Sequence, residues 1–235
     1  FGSVPHPITA GLVVYNNRLY VQAGQLYTGV EIWEYDGSSW VQVNTDGFGN
    51  SNNFGSEETQ HQVVYNDKVY FAVENTASSI RIYEYDGSDW SLSKEFEGAD
   101  EPNSMVVYND DLYFAIEDFI RVQVWRYDGS EWTQTNTNGF GGNNFKGYMA
   151  EYNGALYAGT RNPVGGEVWK LDECACDLNG DGSCNVFDWF SFIDDWGRTD
   201  CAGDCECDLN GDGSCNVFDW FIFIEDWGRT DCPVL

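Results

Sequence analysis

Two stretches of this chain carry side chains that could hold a metal ion. Each reads Asp-x-Asn-x-Asp-Gly-Ser-Cys-Asn-x-x-Asp, once over 177–188 and again over 208–219. The first copy offers Asp177, Asn179, Asp181, Ser183, Asn185 and Asp188, and the second offers Asp208, Asn210, Asp212, Ser214, Asn216 and Asp219. A hard cation such as calcium takes six to eight oxygens, and a twelve-residue loop supplies them from positions 1, 3, 5, 7, 9 and 12. Position 7 gives its backbone carbonyl, so the serine side chain matters little, and position 9 can act through water. Gly182 and Gly213 fall at position 6, where such a loop turns sharply. The pattern, met twice, predicts two bound calcium ions. The alternative is an acidic loop of Asx turns with no ion.

The elements that must hold these loops can be read around them. After each loop the apolar residues fall at helical spacing, as in Val186, Trp189, Phe190, Ile193 and Trp196. That face is expected to pack the two copies together, with Gly197 as a C-cap. The whole unit repeats with a period of 31 residues, and all eight cysteines obey it. They are Cys174, Cys176, Cys184 and Cys201, then Cys205, Cys207, Cys215 and Cys232. An even number crowded into a short segment reads as a disulfide framework, which places the chain outside the reducing cytosol, extracellular or at a cell surface. Zinc is the competing reading. The Cys-x-Cys spacing disfavours it, and His6 and His61 lie far upstream. Four cysteines per copy allow three pairings. Cys174 with Cys176 is the poorest, since neighbours two apart in an extended chain diverge, and the others stay open.

Paired loops, an aspartate as last ligand and the absence of a first helix resemble dockerins, the small modules that plug bacterial cellulosomal and cell-surface proteins into cohesins. The resemblance implies a cohesin-like partner. It also implies that positions 10 and 11, here Val186-Phe187 and Val217-Phe218, face that partner. Many dockerins carry small polar residues there, and they place a buried aliphatic residue at position 8 where this chain has Cys184 and Cys215. Those departures put an ordinary cohesin in doubt. Disulfides suit a module of this size, because its core is thin and crosslinks limit the entropy of the unfolded chain.

Upstream lies a different repeat, marked by Tyr15, Tyr65, Tyr108 and Tyr152 at separations of 50, 43 and 44 residues. Each unit holds short alternating runs of Val, Ile, Tyr and Trp, broken first by Tyr-Asn-Asn or Tyr-Asn-Asp and then by Tyr-Asp-Gly-Ser. Asp36-Gly37, Asp86-Gly87 and Asp128-Gly129 signal hairpins, because glycine accepts the positive φ of tight primed turns. Each unit is therefore expected to be a four-stranded antiparallel meander, and the series resembles β-propeller blades of the kelch or WD type. The fourth unit has candidates for three strands, ending near Trp169. Phe1-Gly2 is similar to the Gly47-Phe48-Gly49 end of a unit. One blade is then incomplete, earlier blades have been removed, or another chain supplies a strand to a sticky edge. A small closed propeller is preferred. The chain begins at Phe1 rather than Met and reads as a mature or trimmed product. The expected architecture is an all-β propeller of about four blades over 1–172 and a small α, disulfide-rich, calcium-binding domain over 173–235.

Function classes narrow accordingly. A net charge of −28 repels phosphate backbones and anionic membranes, which argues against nucleic-acid partners. No apolar run is long enough to insert into a membrane as a helix. The first expectation is a non-enzymatic extracellular structural or interaction protein. Its propeller body would be joined by its coupler to a cohesin-like protein or to another copy of itself, and non-closing contacts could build filaments. A second reading is a glycan-binding propeller, with Trp40, Trp90 and Trp132 as sugar platforms rather than blade-to-blade packing. A third is a secreted glycosidase, which needs two neighbouring carboxylates. No Gly-x-Ser-x-Gly, His-Glu-x-x-His or phosphate loop is present, so no catalytic residue is named and an enzyme is not expected.

Overall fold

The computed structural model describes residues 8–24, 28–54, 62–76, 79–153, 155–171, 174–201, 205–230 and 232. Phe1-Gly2, His6 and His61 lie outside these residues. The chain forms two compact units that part near residue 170.

The first unit is four antiparallel sheets in succession. Sheet one runs β1 (Ile8–Tyr15), β2 (Arg18–Gly24), β3 (Glu31–Tyr35) and β4 (Trp40–Gln42). In sheet two, β5 (Asn53–Phe54) and β6 (Gln62–Tyr65) both pair with β7 (Lys68–Asn75), followed by β8 (Ser79–Tyr85) and β9 (Trp90–Glu97). Sheet three runs β10 (Glu101–Tyr108), β11 (Asp111–Glu117), β12 (Val122–Tyr127) and β13 (Trp132–Gln134). Sheet four has three strands, β14 (Phe145–Tyr152), β15 (Ala155–Arg161) and β16 (Glu167–Leu171). The first long strands β1, β6, β10 and β14 follow one another side by side, which gives a mostly-β, propeller-like frame.

Packing between sheets explains the near-continuous apolar runs. In β7, Val69, Phe71 and Val73 face the core shared with sheet one, while Tyr70 and Ala72 face the core shared with sheet three. A strand covered on both faces needs apolar residues at every position. Trp90 and Trp132 also belong to this packing. Trp90 stacks on Tyr85 with centroids 4.5 Å apart and donates its indole N–H to the Val43 carbonyl at 2.8 Å. Trp132 stacks on Tyr127 at 4.9 Å and donates to Ser93 Oγ at 3.3 Å. Each reaches back to the preceding sheet and takes part in blade-to-blade packing. Trp40 stacks on Tyr35 at 4.8 Å.

The hairpins form where expected, but with their chemistry exchanged. The two-residue primed turns are Asn16-Asn17 (φ 48° and 59°), Asn66-Asp67 (45° and 55°) and Asn109-Asp110 (46° and 62°). Asn and Asp tolerate this left-handed region better than other side-chain-bearing residues. The Asp-Gly turns are instead four-residue loops, since Tyr35 pairs with Trp40, Tyr85 with Trp90 and Tyr127 with Trp132. Here the aspartate closes the loop as an acceptor. Asp36 Oδ1 takes the N–H groups of Ser38 and Ser39 at 2.7 and 2.8 Å.

The second unit contains two short helices, α1 (Val186–Asp194) and α2 (Val217–Glu225). Among the described residues, no helix is long and apolar enough to cross a membrane.

Candidate metal centre

Each acidic loop wraps around its own first aspartate. Asp177 Oδ1 and Asn179 Oδ1 both accept the Asp181 N–H, at 3.0 and 2.9 Å, and Asp177 Oδ2 accepts the Gly182 N–H at 2.9 Å. Asp208, Asn210, Asp212 and Gly213 repeat the pattern. The sharp turn rests on Gly182 and Gly213, both at φ 86°, where a side chain would be strained. The last acid closes the ring from the helix. Asp188 accepts Asn179 N–H at 3.1 Å and Asn185 N–H at 2.7 Å, and Asp219 accepts Asn210 and Asn216 N–H at 3.1 and 2.8 Å. Both aspartates are fully buried.

Positions 7 and 9 are more occupied than the spacing suggests. Asn185 and Asn216 cap their helices, each Oδ1 accepting the N–H of Phe187 or Phe218 at 2.9 Å. Their amide nitrogens donate to the Ser183 and Ser214 carbonyls at 3.3 and 3.4 Å. Aspartate at N3 completes a reciprocal capping box with the asparagine. The last acid of the loop is thus also the residue that fixes the start of the helix. The donor set is all oxygen, carboxylate-rich and closed by a buried acid, which fits a hard cation of calcium type and offers no soft ligand.

The cysteines are all in disulfides among the described residues. Cys176–Cys184 and Cys207–Cys215 lie within each copy. Cys174–Cys232 and Cys201–Cys205 join the first cysteine of one copy to the last of the other. Pairing confined to each copy is therefore corrected, because the copies sit about a pseudo-twofold axis that brings opposite ends together. Backbone bonds obey the same exchange. Cys184 N–H donates to Arg229 O at 2.8 Å, and Cys215 N–H donates to Arg198 O at 2.9 Å. Cys174, Cys176 and Asp226 cluster closely enough for a metal. Their sulfurs are oxidised, however, and zinc requires thiolates.

The helix face is also corrected. Phe192 and Phe223 are the buried residues, their rings 4.7 Å apart, with Trp189 against Trp220 at 4.8 Å. Of the residues expected in the core, Trp189 packs there, and the half-exposed Trp196 touches Phe192 with ring centroids 5.5 Å apart. Val186, Phe190, Ile193 and Trp196 are exposed, together with Phe187, and so are their counterparts Val217, Phe218, Phe221, Ile224 and Trp227.

These features define a propeller-like body together with a disulfide-bonded helix pair. The profile of the DUF6242 beta propeller domain matches residues 36–170, and the chain belongs to that family. The curated proteins give no match. Similar solved structures include the α-L-arabinofuranosidase CtGH43 of Clostridium thermocellum, at 18% identity over 67% of this chain and 61% of that one, TM-score 0.41. The Aleuria aurantia lectin in complex with Fucα1-6GlcNAc is 13% identical over 68% of this chain and 56% of its own, TM-score 0.46. A GH43 endo-arabinanase from Bacillus licheniformis is 14% identical over 68% of each chain, TM-score 0.41. The chain spans less than two thirds of the length of the first two. Likeness at these identities is one of fold. With glycoside hydrolases among these structures, the expectation that the chain is not an enzyme is withdrawn. A glycosidase needs only two carboxylates brought together in space, which no local motif announces.

Proposed function

We propose that this chain is an extracellular interaction protein, a propeller body carried by a calcium-stabilised, dockerin-like coupling module. The observation that carries the reading is the pair of fully buried aspartates, Asp188 and Asp219, each closing a loop of oxygen donors. A buried carboxylate is costly unless it is paired or coordinates a metal, and a bound calcium ion compensates it. In this reading Asp177, Asn179, Asp181 and Asp188, with the Ser183 carbonyl, hold one ion, and Asn185 orients the exiting helix. Asp208, Asn210, Asp212, Asp219 and the Ser214 carbonyl hold the other, with Asn216 as the second cap. Four disulfides support an oxidising compartment.

The coupling surface is the exposed apolar face of the two helices, which is larger than single scattered side chains require. Exposed acids stand beside it at Asp194 and Glu225, while Asp195 and Asp226 are paired with Arg198 and Arg229. The partner is accordingly a protein with an apolar patch and a basic rim, cohesin-like in its role.

Calorimetric titration of calcium into the oxidised, EDTA-treated chain tests this. Two ions should bind per chain, one after Asp177→Ala or Asp208→Ala, and none after both substitutions. Absence of calcium uptake by the intact chain refutes the coupler.

A second reading concerns the body, which we propose binds glycans. It is favoured by an aromatic-walled cavity between the second and third sheets, lined by Phe96 and Trp125 among charged and amide side chains.

A further inference from the structure

An aromatic residue recurs at one place in the third strand of successive sheets: Tyr83 in β8, Trp125 in β12 and Trp169 in β16. In two of them a phenyl ring from the incoming chain lies flat upon it. Phe48 stacks on Tyr83 with centroids 3.7 Å apart and planes 6° apart, and Phe140 stacks on Trp169 at 4.9 Å and 7°. Both phenylalanines sit in Gly-Phe-Gly segments and take a left-handed backbone, φ 54° and 52°, to present the ring. The segment entering the third sheet, Phe96-Glu97-Gly98-Ala99, lacks that motif. Phe96 stands at 60° to Trp125, its centroid 5.1 Å away, and does not cover it. Trp125 instead walls a cavity of about 190 Å³.

We propose that this cavity binds one neutral sugar ring of a glycan, stacked on Trp125 as Phe48 and Phe140 stack on its counterparts. The inference deepens the glycan-binding reading of the body and rests on it. Three observations select a sugar. The indole is fixed before any ligand arrives, since Trp125 Nε1 donates to Gln123 Oε1 at 3.0 Å and Gln123 Nε2 donates to Asp118 Oδ2 at 2.9 Å. Such preorganisation lowers the cost of binding. The Lys94 ammonium lies over the Trp125 ring, 5.6 Å from its centroid, where a sugar ring would take its place and leave it at the rim, and Glu97 and Asp118 also line the cavity. A second phenyl ring would strip water from those groups without replacing its hydrogen bonds. A sugar covers the indole with its C–H face and meets the rim with hydroxyls that both donate and accept. Finally, with Glu95 paired to Arg81, Glu97 and Asp118 still outnumber Lys94 around the cavity, which disfavours an anionic sugar.

The full oxidised chain, applied to an array of immobilised neutral polysaccharides and oligosaccharides, supplies the probe. The highest-affinity oligosaccharide is then titrated by calorimetry. Lys94→Ala and Gln123→Ala should each weaken binding by about tenfold, the loss expected for a well-placed polar contact or its positioning residue. Unchanged thermal unfolding of Lys94→Ala separates lost contact from lost fold. Glycan binding that both variants leave intact places the sugar elsewhere on the body; the inference then fails and the broader reading stands. Silence of the folded chain on the array overturns both.

Discussion

The two inter-copy disulfides occupy pseudo-equivalent places, yet their removal should differ in cost. Both have Cα atoms 5.2 Å apart, and the copies around them have the same sequence motif. Their native-state surroundings are therefore alike. Their sequence separations are 58 for Cys174–Cys232 and 4 for Cys201–Cys205. Loop-closure entropy grows with the logarithm of loop length, so the long bridge restrains the unfolded chain by about 4 kcal/mol and the short one by about 2 kcal/mol. For a module of this size each kcal/mol moves the melting temperature by roughly 4–8 °C. Replacing Cys174 and Cys232 by serine should then lower the module's transition by about 8–16 °C more than replacing Cys201 and Cys205. Differential scanning calorimetry of the oxidised full chain in EDTA reads this, with the propeller transition as an internal reference. Equal shifts, or a larger shift for the short bridge, would refute the unfolded-state account and place the stabilisation in native contacts.

Phe192→Ala and Phe223→Ala should each cost about 3–5 kcal/mol in urea denaturation. Phe187→Ala and Phe190→Ala should stay within about 0.5 kcal/mol, since those side chains are solvated. Trp90→Phe leaves the Val43 carbonyl without its indole donor and should cost about 1–3 kcal/mol, read from the propeller transition. Asp86 and Asp128 are lowered to about 2, first by the backbone N–H groups of Asp89 and Glu131 and then by Ser88 and Ser130. A depressed folded-state value means that their contribution is complete above the unfolded value of about 3.9 and is lost as pH falls toward 2. Carboxyl-carbon NMR titration should find both still ionised at about pH 3.

How much of this was legible depended on whether the cause was local. The Tyr-Asn and Tyr-Asp-Gly-Ser periods place the strands well, because each hairpin is closed by its own turn residues. The same residues mislead about turn type. Asp-Gly suggests a primed pair, yet the Asp36 carboxylate builds a longer loop while Asn16-Asn17 takes the positive φ. The split of the first strand of sheet two into β5 and β6 carries no periodic signal. The helix Val-Phe-Asp-Trp-Phe-x-Phe-Ile is apolar on almost every side, so spacing alone cannot say which stripe is covered. Docking against the second copy selects Phe192 rather than Phe190. The cysteine pairing escaped for a similar reason. A repeat read along the chain invites pairing within each unit, whereas a pseudo-twofold axis joins opposite ends. The oxygen-bearing side chains of the loops were visible as a set, but the engagement of Asn185 with its helix needed the backbone itself.

The bridge between Cys174 and Cys232 has a mechanical meaning. Fully drawn out, the 58-residue span it closes would extend by about 200 Å. With the crosslink intact, tension entering at Cys174 and leaving at Cys232 passes through a single sulfur–sulfur link, and nothing between them unravels. Held by these two residues, the disulfide-bonded unit bears load as a welded ring rather than as a spring, and only a reductant turns it into slack.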